Sequence, residues 1–196
     1  FELSARAQDY VERTKAFIKN EIEPVETAFW NEVNHLNQGG DWTKWQWPAQ
    51  LEVLKNKAKT AGLWNMFLPD AELGQGLSVQ EYAHIAELSG RSLVAPIVFN
   101  CNAPDSGNME VLWRYGTEAQ KEQWLKPLLD GKIRSVFCMT EPAVASSDAT
   151  NMQATAVVSG DEIVLNGRKW WSSGLGDPNA KIIIFMAHTP DESKDR

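Results

Sequence analysis

Apolar residues at Ala7, Tyr10, Val11, Phe17, Ile18 and Ile22 recur at helical spacing as far as Pro24, which sets the expected extent of a first helix. Pro48 suits the first position of a second helix, because its fixed φ is helical and its missing N–H is not needed there. Leu51, Leu54, Ala58 and Ala61 form that helix's apolar stripe, and Gly62 ends it. Ser78-Val79-Gln80-Glu81 and Thr117-Glu118-Ala119-Gln120 both read as capping boxes, in which a hydroxyl and a longer polar side chain satisfy each other's backbone N–H groups. The helix after Ser78 carries Tyr82, Ile85 and Ala86, and Gly116 and Gly131 stand where helices are expected to end.

Near Ile133 the period changes. Residues 133–139 alternate loosely and stop at Thr140-Glu141-Pro142, because proline cannot extend a ladder; a strand thus delivers Thr140 to an edge. Thr155–Ser159 and Glu162–Leu165 are rich in β-branched residues and joined by Gly160-Asp161, which predicts a hairpin. Asn166-Gly167 is the signal for a second hairpin, with Arg168–Ser172 as its outgoing strand. Alternation along that strand would send Trp170 and Trp171 to opposite faces. The expected fold is α+β: an all-α helical bundle over residues 1–131, then an antiparallel β domain over 132–196.

Composition narrows the function more than the fold. At 196 residues the chain is one to two domains, long enough to bury a core. A net charge of −7 with no basic block leaves no footprint for nucleic acid. No apolar run approaches the roughly 20 residues of a membrane span. Cys101 and Cys138 form no CxxC and read as small buried hydrophobes; with no signal peptide in view, the expectation is a reducing compartment or indifference to redox state. His35, His84 and His188 have no metal-ligand spacing, so no metal is expected. Gly74-Gln75-Gly76 and Gly174-Leu175-Gly176 lack the strand-to-helix setting of a dinucleotide loop, and without a Gly-x-Ser-x-Gly elbow Ser146 and Ser147 are poor hydrolase nucleophiles.

Between the first two helices lie Trp30, Trp42, Trp45 and Trp47. Packing of this loop against the bundle is the plain reading, since indoles bring much apolar area; stacking on a ligand's adenine or gripping a partner is the alternative. The final Thr189–Arg196 is polar, as a loop or frayed end would be.

The richest stretch is Phe137 to Gly174, with Phe137-Cys138-Met139-Thr140-Glu141-Pro142, Ser146-Ser147-Asp148 and Asn166-Gly167-Arg168-Lys169-Trp170-Trp171-Ser172-Ser173-Gly174. In order and spacing it resembles the flavin-binding signature of acyl-CoA dehydrogenases. Upstream, Leu68-Pro69, Gly74 to Ser78, Glu81-Tyr82, Gly90-Arg91-Ser92 and Tyr115-Gly116-Thr117 extend the resemblance over nearly the whole chain, the Trp-rich segment being least typical. The wording from Asn100 to Glu110 is similar to the subgroup fused in animals to a phosphotransferase-like domain, of which these 196 residues hold nothing.

The resemblance implies FAD as cofactor. Thr140 and the Met139 backbone would meet the flavin's pyrimidine edge, Trp171 would pack on its ring, Ser173 would bond near its reactive nitrogen, and Phe137 joins this set. Ser146 and Ser147 stand where flavin and acyl tail meet. The family's Gly-x-Gly-Ser-Asp becomes the longer Ala143-Val144-Ala145-Ser146-Ser147-Asp148, which leaves open which serine reaches in. Implied too are α,β-dehydrogenation of an acyl-CoA as in fatty-acid β-oxidation, electron-transferring flavoprotein as acceptor, and a homo-oligomer, dimer or tetramer. Location would be cytoplasmic in a bacterium, mitochondrial or peroxisomal in a eukaryote. The family's glutamate base belongs to a C-terminal helical domain, so residues 1–196 alone are expected to be inactive, with Glu141 structural. The competing classes are a non-catalytic flavin- or CoA-binding module and a structural pairing module built on the tryptophans.

Overall fold

The computed structural model describes residues 2–189, so most of the polar tail lies outside the described residues. Ser4 caps α1 (Ala5–Phe17) by accepting the Ala7 N–H. The helix does not stop at Pro24. A π turn over Ile18–Ile22 carries it into α2 (Glu23–Leu36), with Pro24 in the first turn of the new segment. The wider i→i+5 turn, closed by Glu23 N–H to Ile18 O, relieves the crowding a proline creates in an α ladder.

Next come α3 (Gln50–Thr60), α4 (Val79–Ser89), the short α5 (Ala95–Val98), α6 (Asp105–Tyr115), α7 (Glu118–Gln120), a second π turn at Lys121–Leu125, and α8 (Lys126–Leu129). Both expected capping boxes form. Pro48 is not the first residue of α3: it lies just ahead of it and accepts the Leu51 N–H.

Ala7, Tyr10, Ile22, Phe29, Leu54, Met66, Ile85 and Phe99 share one core between α1 and α5. A second, of Phe67, Leu68, Met109, Leu112, Leu125, Leu128 and Leu129, also receives Ile133 and Ile182 from the β region. A buried polar joint links the two. Asn100 Nδ2 donates to Asn65 Oδ1 at 2.7 Å and to Leu128 O at 2.9 Å, while Asn65 Nδ2 and Trp64 Nε1 reach Leu129 O. Both asparagines adopt positive φ, which their short polar side chains tolerate better than most. The last carbonyls of α8 are thereby satisfied where the chain turns toward the strands.

The β region holds β1 (Arg134–Cys138), β2 (Thr155–Ser159), β3 (Glu162–Asn166) and β4 (Ala180–Phe185). As expected, β2 and β3 form an antiparallel hairpin. β4 pairs with β1 in parallel, matching Phe137 to Ile184, so the region is not antiparallel throughout.

The proposed second hairpin is absent. Residues 168–172 form no ladder among the described residues, because beyond Asn166 the chain leaves β3 and Trp170 N–H bonds Thr140 O at 2.8 Å. β2 is instead flanked by residues near His188, which accepts the Ala156 N–H and donates to Ala154 O. Gly167 lies so close to Ala154 that a Cβ there would come within 2.4 Å of the alanine's own.

Candidate functional site

The strand that carries Thr140 is fixed at its start. Asp105, fully buried on α6, accepts the Ser135 N–H at 2.8 Å and its hydroxyl at 2.6 Å through Oδ1, and Oδ2 pairs with Arg134 Nε at 2.5 Å. Asn108, one turn on, donates to the Ser135 hydroxyl at 2.8 Å. Phe137 sits inside the β1–β4 ladder, half-buried, and Met186 N–H to Cys138 O closes the ladder just before the loop begins.

The loop is then gripped from within. Lys169 Nζ, buried, donates to Met139 O at 3.0 Å and to Glu141 Oε1 at 2.8 Å, and lies 5.1 Å from the centre of the Phe185 ring. Glu141 also accepts the Gln153 N–H at 2.7 Å and the Ala154 N–H at 3.0 Å. The Lys169 hydrogen bond first, then these backbone donors, pull its carboxyl down to about 2 against the opposing effect of burial. Such a group, with its lone pairs engaged, is a poor proton acceptor, in keeping with a structural Glu141.

The two serines separate. Ser146 is buried and its Oγ accepts the Glu141 N–H at 2.7 Å, so it shapes the loop; Ser147 is exposed. Thr140 is exposed as well, and its carbonyl is taken by Trp170. Among the described residues its N–H and hydroxyl have no hydrogen-bond partner.

The tryptophans correct the sequence reading. Trp171 has φ +56°, which breaks strand alternation, so Trp170 and Trp171 do not face opposite ways. Their rings stack at 4.9 Å and 29°, and Trp171 is 72% exposed. Ser173 N–H bonds Trp171 O, and Leu175 N–H bonds Ser172 O, so a run of tight turns follows. Trp171, Ser172, Ser173 and Leu175 form one side of a cleft of about 350 Å³, with Trp42 and Trp45 on the other. Trp30 and Trp47 behave as the plain reading expected and pack on the helical core.

These features fit a planar ring with hydrogen-bonding edges. An open indole face offers stacking, Thr140 offers unpaired donors, and the Ser172 hydroxyl is buried without a partner. Ser172, Trp42 and Trp45 escaped the sequence reading; the indole cluster was a signal for the last two, whereas nothing local marked Ser172. Elsewhere, burial pushes the Cys101 thiol up to about 11, which makes it unreactive. Among the described residues no three His, Cys, Asp or Glu gather as metal ligands, and no helix is long and apolar enough to cross a membrane.

Comparison with known proteins accords with this geometry. Residues 4–132 match the model of the acyl-CoA dehydrogenase N-terminal domain, and residues 136–196 that of the acyl-CoA dehydrogenase middle domain. Acyl-CoA dehydrogenase family member 11 of chicken (Gallus gallus) is 50% identical over 196 residues, all of this chain but 25% of that protein. A solved acyl-CoA dehydrogenase from Mycobacterium abscessus is 60% identical with a TM-score of 0.92, covering 100% of this chain and 49% of its own. A glutaryl-CoA dehydrogenase from Mycobacterium smegmatis, solved in complex with FADH2, has a TM-score of 0.70 over 96% of this chain and 44% of its own; at 22% identity it speaks for the fold alone. The chain thus spans between a quarter and a half of the length of these relatives.

Proposed function

This chain belongs to the acyl-CoA dehydrogenase family, whose members are FAD-dependent oxidoreductases, and we propose that it is the N-terminal portion of an enzyme that dehydrogenates acyl-CoA thioesters between the α and β carbons. The observation that carries the reading is the open edge at Thr140 held beside the exposed Trp170–Trp171 stack by one backbone hydrogen bond of 2.8 Å.

FAD bound there supplies the acceptor for the substrate's β-hydrogen. Thr140 and the Met139 backbone meet the pyrimidine edge, where donors stabilise developing negative charge. Trp171, backed by Trp170, covers the ring, and Ser173 with Ser172 donates along its other edge. Phe137 supports the set from the ladder. Ser147 is assigned to the substrate side, while Ser146 acts through the loop it shapes. Glu141 is committed to Lys169, so the α-proton passes to a carboxylate outside this segment, and residues 1–196 alone are inactive. A helical unit at 1–131, a flavin-binding β unit from 132, a homo-oligomeric assembly and electron-transferring flavoprotein as acceptor complete the proposal.

The test is purification of the full-length protein, quantification of bound flavin, and anaerobic addition of an acyl-CoA panel. Retained FAD that bleaches with at least one acyl-CoA is expected. Protein that neither retains nor takes up FAD would overturn the proposal.

A further inference from the structure

The Trp-rich loop stands outside the flavin signature, yet it is bonded to it. Trp47 Nε1 donates to Asp177 Oδ2 at 2.9 Å, and the other Asp177 oxygen accepts the Asn179 N–H at 2.8 Å. Behind Trp47 lies the helical core, where its ring stacks on buried Phe29 at 6.3 Å. Ahead of it, Asp177 N–H bonds Gly174 O, which continues the turns that began at Trp171. Gly176 passes under the same loop: a Cβ placed there would touch the Trp45 ring at 3.6 Å and Trp42 Cβ at 3.7 Å. A path of contacts therefore runs from the helical core to the turn that presents Trp171 and Ser173.

That turn needs an external hold. Left-handed backbone at Trp171 is unfavourable for a residue with a Cβ, and Trp171 is too exposed for its own burial to impose it. We propose that Trp47 and Asp177 are positioning residues. They tie the turn at 171–177 to the helical core and so set the pose of Trp171 and Ser173 toward the flavin, acting without contact to it. This inference rests on the flavin reading for its consequence but not for the strut itself.

The experiment compares Trp47→Phe, which keeps the ring stack and removes only the N–H, with Asp177→Ala, Asp177→Asn and a distant control, Val79→Ala, in the full-length protein. In the apo form, hydrogen–deuterium exchange over residues 171–177 is expected to rise in Trp47→Phe and Asp177→Ala, with the melting temperature of Trp47→Phe near that of the parent. In the FAD-loaded form both should bind FAD roughly tenfold more weakly, as loss of a hydrogen bond to a charged group implies, and shift the visible flavin band. Asp177→Asn keeps one acceptor oxygen and should fall between them and the parent; Val79→Ala should match the parent. Unchanged exchange at 171–177 in both strut variants would overturn the inference, as would losses of FAD that merely track melting temperature across all four. A parent protein that binds no FAD would sink the flavin reading, and exchange would still decide the strut.

Discussion

Replacing Asp105 with alanine is expected to unseat β1. The carboxylate is 0% exposed and serves three groups of that strand at once: the Ser135 N–H, the Ser135 hydroxyl and Arg134. The alanine variant leaves a buried N–H without its acceptor and a guanidinium, itself only 15% exposed, without its counter-charge. Removing one partner of a buried ion pair typically costs about 3–5 kcal/mol, most of it the penalty on the partner left behind. Ser135→Ala is milder, about 1–2 kcal/mol, since it deletes a hydroxyl together with its bonds to Asp105 and Asn108. Because both variants abolish the same charge-assisted bond, the double variant should fall short of additivity by about 1–2 kcal/mol. Urea unfolding of the apo protein, followed by circular dichroism, gives all three values. A loss below about 1 kcal/mol in Asp105→Ala, or strict additivity with Ser135→Ala, would refute the claim that this carboxylate seats the strand.

Glu141 titrates in the opposite sense from a catalytic base: its folded-state value is lowered from 4.5 to about 2, so the stability it confers is complete above about pH 4.5 and fades as pH falls toward 2. The gap in urea midpoint between the parent and Glu141→Gln should therefore be wider at pH 6 than at pH 3, and a gap independent of pH would contradict the assignment. Gly167→Ala should destabilise by about 1–3 kcal/mol, because the new methyl would lie 2.4 Å from Ala154 Cβ; a melting temperature equal to the parent's would show that the two segments are not so close. As Trp170 and Trp171 stack on each other, Trp170→Ala should weaken FAD binding by at least a third of the free energy lost in Trp171→Ala, measured by titration of the apo protein; no effect at Trp170 would mean that Trp171 keeps its pose unaided.

The parts of the fold that depend on neighbours in sequence were readable. The capping boxes at Ser78 and Thr117 are closed by side chains three residues away, and the β2–β3 hairpin is closed by Gly160 at φ +61°. The parts that failed depend on partners far along the chain. Asn166-Gly167 carries a strong turn signal, but the Thr140 carbonyl competes for the Trp170 N–H and wins, drawing the segment off the sheet. The parallel pairing of β4 with β1 spans more than forty residues and leaves no local trace. At the site, the motif gave the right neighbourhood for Met139, Thr140, Trp171 and Ser173. It did not reveal that Ser146 is buried under Glu141, or that indoles from the helical unit close the cleft.

The π turn at Ile18–Ile22 bears on how this chain tolerates changes of length. Thr14, Ile18 and Ile22 are all buried though they step by four residues twice. In an unbroken α-helix two such steps carry a stripe about 80° around the axis; a turn that uses more residues per revolution brings Ile22 back over the core. The turn thus works as a phase corrector between two helical stripes. Deleting one residue inside it would re-form a uniform ladder locally but rotate everything from Glu23 to Leu36 by about 100°, turning Phe29 out of the core and moving the anchor of Trp47 with it. A lost codon forty positions before the Trp-rich loop's last indole would thus be felt in the cleft, whereas point substitutions on the exposed side of the same turn would pass unnoticed.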